Sequence, residues 1–212
     1  MQATRIIAIR HGETAWNVDT RLQGHLDIAL NEMGVWQAQR AAQALAGEAI
    51  DAIYASDLQR AWQTAQAIAA AVNCPLTAHT GLRERGFGQL EGLTYAEIET
   101  RWPDMSQQWR QRVPDWAPPG GESLRAMRER VLDTATGLAA KHLGGQIVLV
   151  AHGGVMDMLY RLATSQDLQA PRTWNLSNAA INRLLWTPEG FTLVGWADTG
   201  HLETDSLDET TT

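Results

Sequence analysis

The sequence predicts an α/β protein: a three-layer α/β/α sandwich with a mostly parallel sheet, an antiparallel edge and a small helical lid insertion. Three observations predict it. Short β-branched runs alternate with amphipathic helical stretches, the pattern of strands joined by helical crossovers. The run Ile147-Val148-Leu149-Val150 shows no polar alternation, as expected of a strand covered on both faces. Near the end, Ala180 to Trp186 and Phe191 to Trp196 flank Pro188-Glu189-Gly190 and read as a closing hairpin.

In chain order, Thr4 to Ile9 is the first buried strand. Asn31-Glu32-Met33-Gly34 opens an alanine-rich helix to about Gly47, with Val35, Ala38, Ala42 and Leu45 as its apolar stripe. Ala52-Ile53-Tyr54 is a short strand. Ser56, with Gln59 three residues on, has the spacing of a capping box for a helix from Asp57 to Val72. Leu58, Trp62, Ala65, Ile68 and Ala69 would form its buried face. Leu76 to His79 reads as another strand, and Thr80 to Gly92 as a loop punctuated by glycine.

From Thr94 to Gly121 the texture changes to short helical pieces carrying Trp102, Trp109 and Trp116, broken by Pro103, Pro114 and Pro118-Pro119. This stretch, about 93–121, is the predicted lid. Ser123 to His142 is a long amphipathic helix ended by Gly144-Gly145. The turn at His152-Gly153-Gly154 leads into a helix from Val155 to Ala163. Residues 1–200 therefore form one expected domain, and 201–212 an acidic tail expected to be mobile.

The net charge of −7 argues against a nucleic-acid or anionic-membrane binder, which would be basic. It is silent on a phosphate pocket, whose potential is set by the few residues lining it. The first apolar run is too short for a signal-peptide core or a membrane span. One cysteine, Cys74, excludes an internal disulfide framework, and a cytoplasmic address is expected.

Ligands of open α/β sheets collect beyond the carboxyl ends of the strands. Arg10 and His11 end the first strand there, and His152 ends the Ile147–Val150 strand just ahead of a helix N-terminus, which favours an anion. Arg60 lies in the first turn of the helix after Tyr54. Two arginines and two histidines thus converge on one crevice, and a phosphate suits it. The dianion carries about −1.5 to −2 charges near neutral pH. Guanidinium groups match its oxygens bidentately. At 4 Å each cation supplies on the order of 4 kcal/mol before desolvation, at an effective dielectric of about 20. A neutral imidazole in the right tautomer can serve as nucleophile. No histidine pair has metal-ligand spacing on one helix, so neither a metal nor a cofactor is expected. His142 would complement a helix C-terminus, His79 and His201 read as surface residues, His25 can edge the pocket, and Trp16 is placed at its wall.

The run Arg10-His11-Gly12-Glu13-Thr14-Ala15-Trp16-Asn17 resembles the opening motif of the histidine phosphatase superfamily, in its phosphoglycerate-mutase-like branch. Further blocks match in order: Arg21-Leu22-Gln23-Gly24 with Asp27 and Leu30 to Gly34, Ser56 to Ala61 with Thr64-Ala65, and Leu82-Arg83-Glu84 with Phe87-Gly88 and Glu91-Gly92. Gly121-Glu122-Ser123, Val150-Ala151-His152-Gly153 and Asn178 to Ile181 complete the set, so the resemblance spans roughly residues 5 to 196.

The resemblance implies roles. His11 would form a phosphohistidine; Arg10, Arg60 and His152 would hold the phosphoryl oxygens. Asn17 would add a hydrogen bond, and Thr14, Gln23, Gly24 and Gly153 would shape the rest of the cradle. Glu84 would protonate the leaving oxygen and then deprotonate water. Arg85, with Arg110 and Arg112, is similar to positions where the mutases bind a phosphoglycerate carboxylate, although solvated lid arginines would look the same.

A phosphatase passes the phosphoryl group to water, a mutase to another hydroxyl. Only about thirty residues separate Gly92 from Glu122, shorter than the insertion of the mutases resembled here, which favours hydrolysis. The expected partner is a small phosphomonoester, with no nucleic acid and no membrane; a homodimer is left open. A non-catalytic phospholigand-binding protein would need neither His11 nor Glu84.

Overall fold

A computed structural model describes residues 2–203. A six-stranded sheet has the order β3-β2-β4-β1-β5-β6. Its strands are β1 (Thr4–Arg10), β2 (Ala52–Ala55), β3 (Leu76–Ala78), β4 (Gln146–Ala151), β5 (Ile181–Thr187) and β6 (Gly190–Asp198). β1, β4, β2 and β3 run parallel; β5 and β6 add the antiparallel edge. The helices are α1 (Ala15–Val18), α2 (Glu32–Leu45), α3 (Gln59–Val72), α4 (Tyr95–Arg101), α5 (Pro103–Arg110), α6 (Leu124–Ala139) and α7 (Gly153–Thr164).

Alternation along β1 divides the core. Ile7 and Ile9 point into the layer holding Ala42, Leu45, Ala65 and Ile68 of α2 and α3. Ile6 and Ala8 point the other way, into Met127, Val131, Leu138 and Leu159 of α6 and α7. Every residue of β4 is buried, which is why its sequence lacks polar alternation. Asn31 caps α2 through Gly34 N–H at 2.8 Å, and Ser123 caps α6 through Ala126 N–H at 3.1 Å.

Some expectations need correction. α3 begins at Gln59, because Ser56 Oγ accepts only from Leu58 N–H and forms no capping box. The orphan N–H of Gln59 instead donates to Asp27 Oδ1 at 2.7 Å. Val35 faces solvent at 45 % exposure, and Gly34 and Ala41 join the buried stripe of α2 in its place. The loop after β3 holds two short 3-10 turns, Thr80–Leu82 and Gly88–Leu90. His142 lies in the last turn after α6, but its ring nitrogen meets the Tyr54 hydroxyl at 2.9 Å. His201 is half-buried rather than a surface residue. The predicted lid consists of α4, α5 and the proline turns after them. Of the tail expected to be mobile over 201–212, residues 201–203 are held to the body, with Gly200–Leu202 in a 3-10 turn and Arg40 donating to the His201 carbonyl at 2.7 Å; 204–212 lie outside the described residues. Among the described residues, no helix is long and apolar enough to cross a membrane.

Candidate active site

β1 and β4 are neighbours, yet the chain leaves β1 through α2 on one face of the sheet and leaves β4 through α7 on the other. Such a divergence opens a crevice beyond the carboxyl ends of the two strands. His11 follows β1 there, and His152 follows β4 as the residue before α7; their ring centroids are 5.2 Å apart.

His11 is 3 % exposed, and its Nδ1 lies 2.7 Å from the Gly12 carbonyl oxygen. A carbonyl can only accept, so Nδ1 carries the proton and Nε2 keeps the lone pair. Burial, then the charges of Arg10 and Arg60, hold the His11 pKa well below the usual histidine range. The ring is therefore a neutral base in a fixed tautomer. Its support is a close approach of two backbones: a Cβ on Gly12 would overlap the Gly34 carbonyl. Gly12 N–H donates to Thr64 Oγ1 at 3.0 Å, and that hydroxyl donates back to the Arg60 carbonyl at 2.8 Å.

Arg60 is wholly buried and donates to the Leu26 and Gly24 carbonyls at 2.9 and 2.8 Å. Burial pushes its pKa down to about 10, still charged at neutral pH. Arg10 donates from Nη1 to the Leu176 carbonyl. Among the described residues, Nε of Arg10, Nε of Arg60 and both ring nitrogens of His152 are buried without a hydrogen-bond partner. Buried polar atoms without a partner are rare in folded proteins, and these belong to side chains at or just beyond the carboxyl ends of the strands. A cavity of about 160 Å³ meets Arg10, His11, Asn17, Gln23, Gly24 and Arg60. Thr14 lies outside that lining: fully buried, it caps α1 and receives the Asn17 N–H at 3.1 Å, so it acts on the cavity through Asn17.

Glu84 reaches the same cavity from the loop after β3. Gly154 N–H lies 3.1 Å from both carboxylate oxygens, and Arg85 N–H donates to Oε1 at 2.8 Å. The helix N-terminus foreseen as an anion site is thus occupied by this carboxylate. The loop is clamped by Arg130 of α6, which donates to the Gly81 and Arg83 carbonyls at 2.8 and 2.9 Å and pairs with Glu122 at 2.7 Å. His25 also meets the Glu84 carbonyl at 2.8 Å.

A second cavity, of about 540 Å³, shares Arg10, Glu84 and Phe87 with the first. Its walls include Gly153, Arg85 and Arg112, the lid's Trp109, and Asp157 of α7. Arg85 lies 5.2 Å from the Trp109 ring, and burial pushes its pKa down to about 10. The lid arginines divide: Arg112 lines the cavity, whereas Arg110 pairs with Glu99 on the outside. Trp16 lies against Gly92 and lines neither cavity.

Sequence reasoning gave no role to Thr64, Arg130, Asp157, Arg161, Arg172 or Asn178. Asn178 donates to the His11 carbonyl at 2.9 Å. A signal existed for Asp157 and Arg161: an acid and a base four residues apart among the apolar residues of α7 mark a buried pair, here 3.1 Å long. Thr64, polar on the buried face of α3, is a similar signal.

Residues 6–199 match the family model of the histidine phosphatase superfamily (branch 1), and the chain belongs to that family. Among curated relatives, it is 38 % identical to phosphoglycerate mutase-like protein 4 of Arabidopsis thaliana, over 93 % of this chain and 86 % of that protein. It is 35 % identical to a metal-independent phosphoserine phosphatase of Arabidopsis thaliana, covering 95 % and 84 %. Among solved structures, mycobacterial glucosyl-3-phosphoglycerate phosphatase superposes with a TM-score of 0.84 at 33 % identity, over 93 % of this chain and 100 % of that one.

Proposed function

We propose that this chain is a cytoplasmic, single-domain phosphatase that hydrolyses a small phosphomonoester through a phosphohistidine on His11. The observation that carries the reading is the His11 tautomer: Nδ1–H is spent on the Gly12 carbonyl, leaving the Nε2 lone pair beside the cavity edged by Arg10 and Arg60. Nε2 attacks phosphorus while the bond from phosphorus to the alcohol oxygen breaks, and Glu84 gives that oxygen a proton. Water then attacks the phosphohistidine, the phosphorus–nitrogen bond breaks, and Glu84 takes the water's proton. Arg10, Arg60 and His152 hold the phosphoryl oxygens and offset their charge as it develops. Asn17, Gln23 and Gly24 complete the phosphate cradle, positioned by Thr14, while Gly153 and Arg85 face the leaving alcohol.

Hydrolysis is favoured over mutase transfer, since relatives over nearly the whole chain are named phosphatases. Rapid quenching with labelled substrate should trap an acid-labile, base-stable phosphoenzyme. His11→Ala should abolish both trapping and turnover; full activity in that variant would sink the reading.

A further inference from the structure

Three consecutive peptide units, from His11 to Thr14, carry the loop that follows β1, and each is gripped at both edges. In the first, the His11 carbonyl accepts from Asn178 Nδ2 at 2.9 Å and the Gly12 N–H donates to Thr64 Oγ1 at 3.0 Å. In the third, the Glu13 carbonyl accepts from the Asn31 N–H at 3.0 Å and the Thr14 N–H donates to Asn17 Oδ1 at 3.0 Å. The middle unit is the one that meets the His11 ring: its carbonyl, on Gly12, lies 2.7 Å from Nδ1. Its N–H, on Glu13, donates to Oε1 of Gln37 at 2.8 Å, and among the described residues it has no other partner.

Gln37 is brought there by α2. The helix packs against the loop so closely that a Cβ on Gly34 would overlap the Glu13 carbonyl. Gln37 stands three residues on, on the same helix face, half-buried and lining neither the smaller nor the larger cavity. A trans peptide is planar, with C=O and N–H on opposite edges, so the unit can turn only by releasing both bonds together. Gly12, with no Cβ, adds little resistance of its own. The two bonds also form one chain, Nδ1–H to carbonyl and N–H to Oε1, in which each polarises the other.

We propose that Gln37 is a positioning residue for the phosphoryl transfer: by fixing the Gly12–Glu13 peptide, its side-chain oxygen keeps the proton on Nδ1 of His11 and leaves Nε2 bare. The proposal rests on the reading of His11 as nucleophile. Without that acceptor the peptide can rotate, the carbonyl leaves Nδ1, and the single proton of the neutral ring is free to move to Nε2. A ring protonated at Nε2 has no lone pair there to offer phosphorus. The loss falls on the reacting atom while the phosphate cradle stays as it was, so it is felt in rate and hardly in binding.

The test compares Gln37→Met, which keeps the length of the side chain but only a weak sulfur acceptor, with Gln37→Glu, which keeps an oxygen. Gln37→Ala takes the place of Gln37→Met if the latter does not fold. Nitrogen NMR of the isotopically labelled, substrate-free proteins distinguishes a protonated ring nitrogen from a bare one. Wild type and Gln37→Glu should show His11 protonated at Nδ1 alone, and Gln37→Met should add a form protonated at Nε2. Single-turnover phosphorylation by p-nitrophenyl phosphate should slow on the order of 10-fold in Gln37→Met, the scale of one lost hydrogen bond, with half-saturation within about twofold of wild type. Gln37→Glu should restore most of the rate, because a carboxylate accepts from a backbone N–H at least as strongly. A wild-type rate in Gln37→Met overturns the proposal, as does a slow Gln37→Met whose ring is still protonated at Nδ1 alone, or a Gln37→Glu as slow as Gln37→Met. All three leave the nucleophile reading intact. Absence of phosphohistidine in the wild type overturns that reading and the proposal with it.

Discussion

The backbone N–H of Gly154 sits 3.1 Å from each carboxylate oxygen of Glu84, so the first turn of α7 aims the side chain proposed as the acid. A Cβ at Gly154 would overlap Oε1 of that carboxylate. Gly154→Ala should therefore displace Glu84 and lower kcat on an alkyl phosphate on the order of 100-fold, the usual cost of a misplacement near 1 Å. The urea midpoint should change little, because the atoms nearest the new methyl are the ends of the Glu84 and Met127 side chains. A wild-type kcat in this variant would show that the contact does not position the acid.

Glu84→Gln keeps the shape and removes the transferable proton. Single-turnover phosphorylation of His11 from an alkyl phosphate should slow on the order of 10²–10⁴-fold. With p-nitrophenyl phosphate, whose leaving group needs little protonation, the loss should be much smaller. Equal losses for both esters would assign the acid to another residue.

Two buried histidines make stability depend on pH. Burial, followed by neighbouring arginine charges, depresses the pKa values of both His11 and His152 well below the ordinary 6.5. Above about pH 6.5 both rings are neutral in the folded and unfolded chains and add no pH dependence. Below it the unfolded chain takes up protons that the folded chain refuses. Stability should then fall as pH drops, by up to about 1.4 kcal/mol per unit for each ring. Urea unfolding at pH 7.5 and 5.5 checks this: His152→Asn should lose less stability across the interval than the wild type. Parallel slopes would exclude the ring as the cause.

Arg10 and Arg60 bring positive charge to the cradle, and among the described residues no group of three or more His, Cys, Asp or Glu side chains is placed to hold a metal ion. Overnight dialysis against EDTA should leave kcat within about twofold, whereas a metal-assisted reaction would lose orders of magnitude. Recovery of activity only on adding magnesium or zinc would require a different mechanism.

What could be read beforehand follows from how local each cause is. β4 was legible because burial on both faces leaves an unbroken apolar run at Ile147–Val150. Arg10, His11 and His152 were legible because a polar, ionisable residue at the end of such a strand can go to only one place. The start of α3 was not, since its cap comes from Asp27, thirty-two positions earlier in the chain, and no window around Ser56 contains it. The larger cavity was legible only in part. Arg85 and Arg112 could be singled out but not separated from Arg110, because α5 ends between them and the left-handed turn at Arg112 sends its side chain inward. Arg172 belongs to a segment whose position is set by Leu168 meeting the lid, a contact that periodicity does not encode.

The two cavities share Arg10, Glu84 and Phe87 as walls, and His11 lines only the smaller one. On the proposed chemistry the alcohol is released into the larger chamber while the phosphoryl group stays behind, so the vacated chamber becomes the antechamber for the second reactant. Whatever fills it first is presented to the same Glu84. Water does so by abundance, but a small alcohol added at high concentration competes for the same place, and the ester it forms records how often water arrived second. On that reading the choice between hydrolysis and transfer becomes a matter of occupancy, adjustable from outside the protein without touching a catalytic side chain.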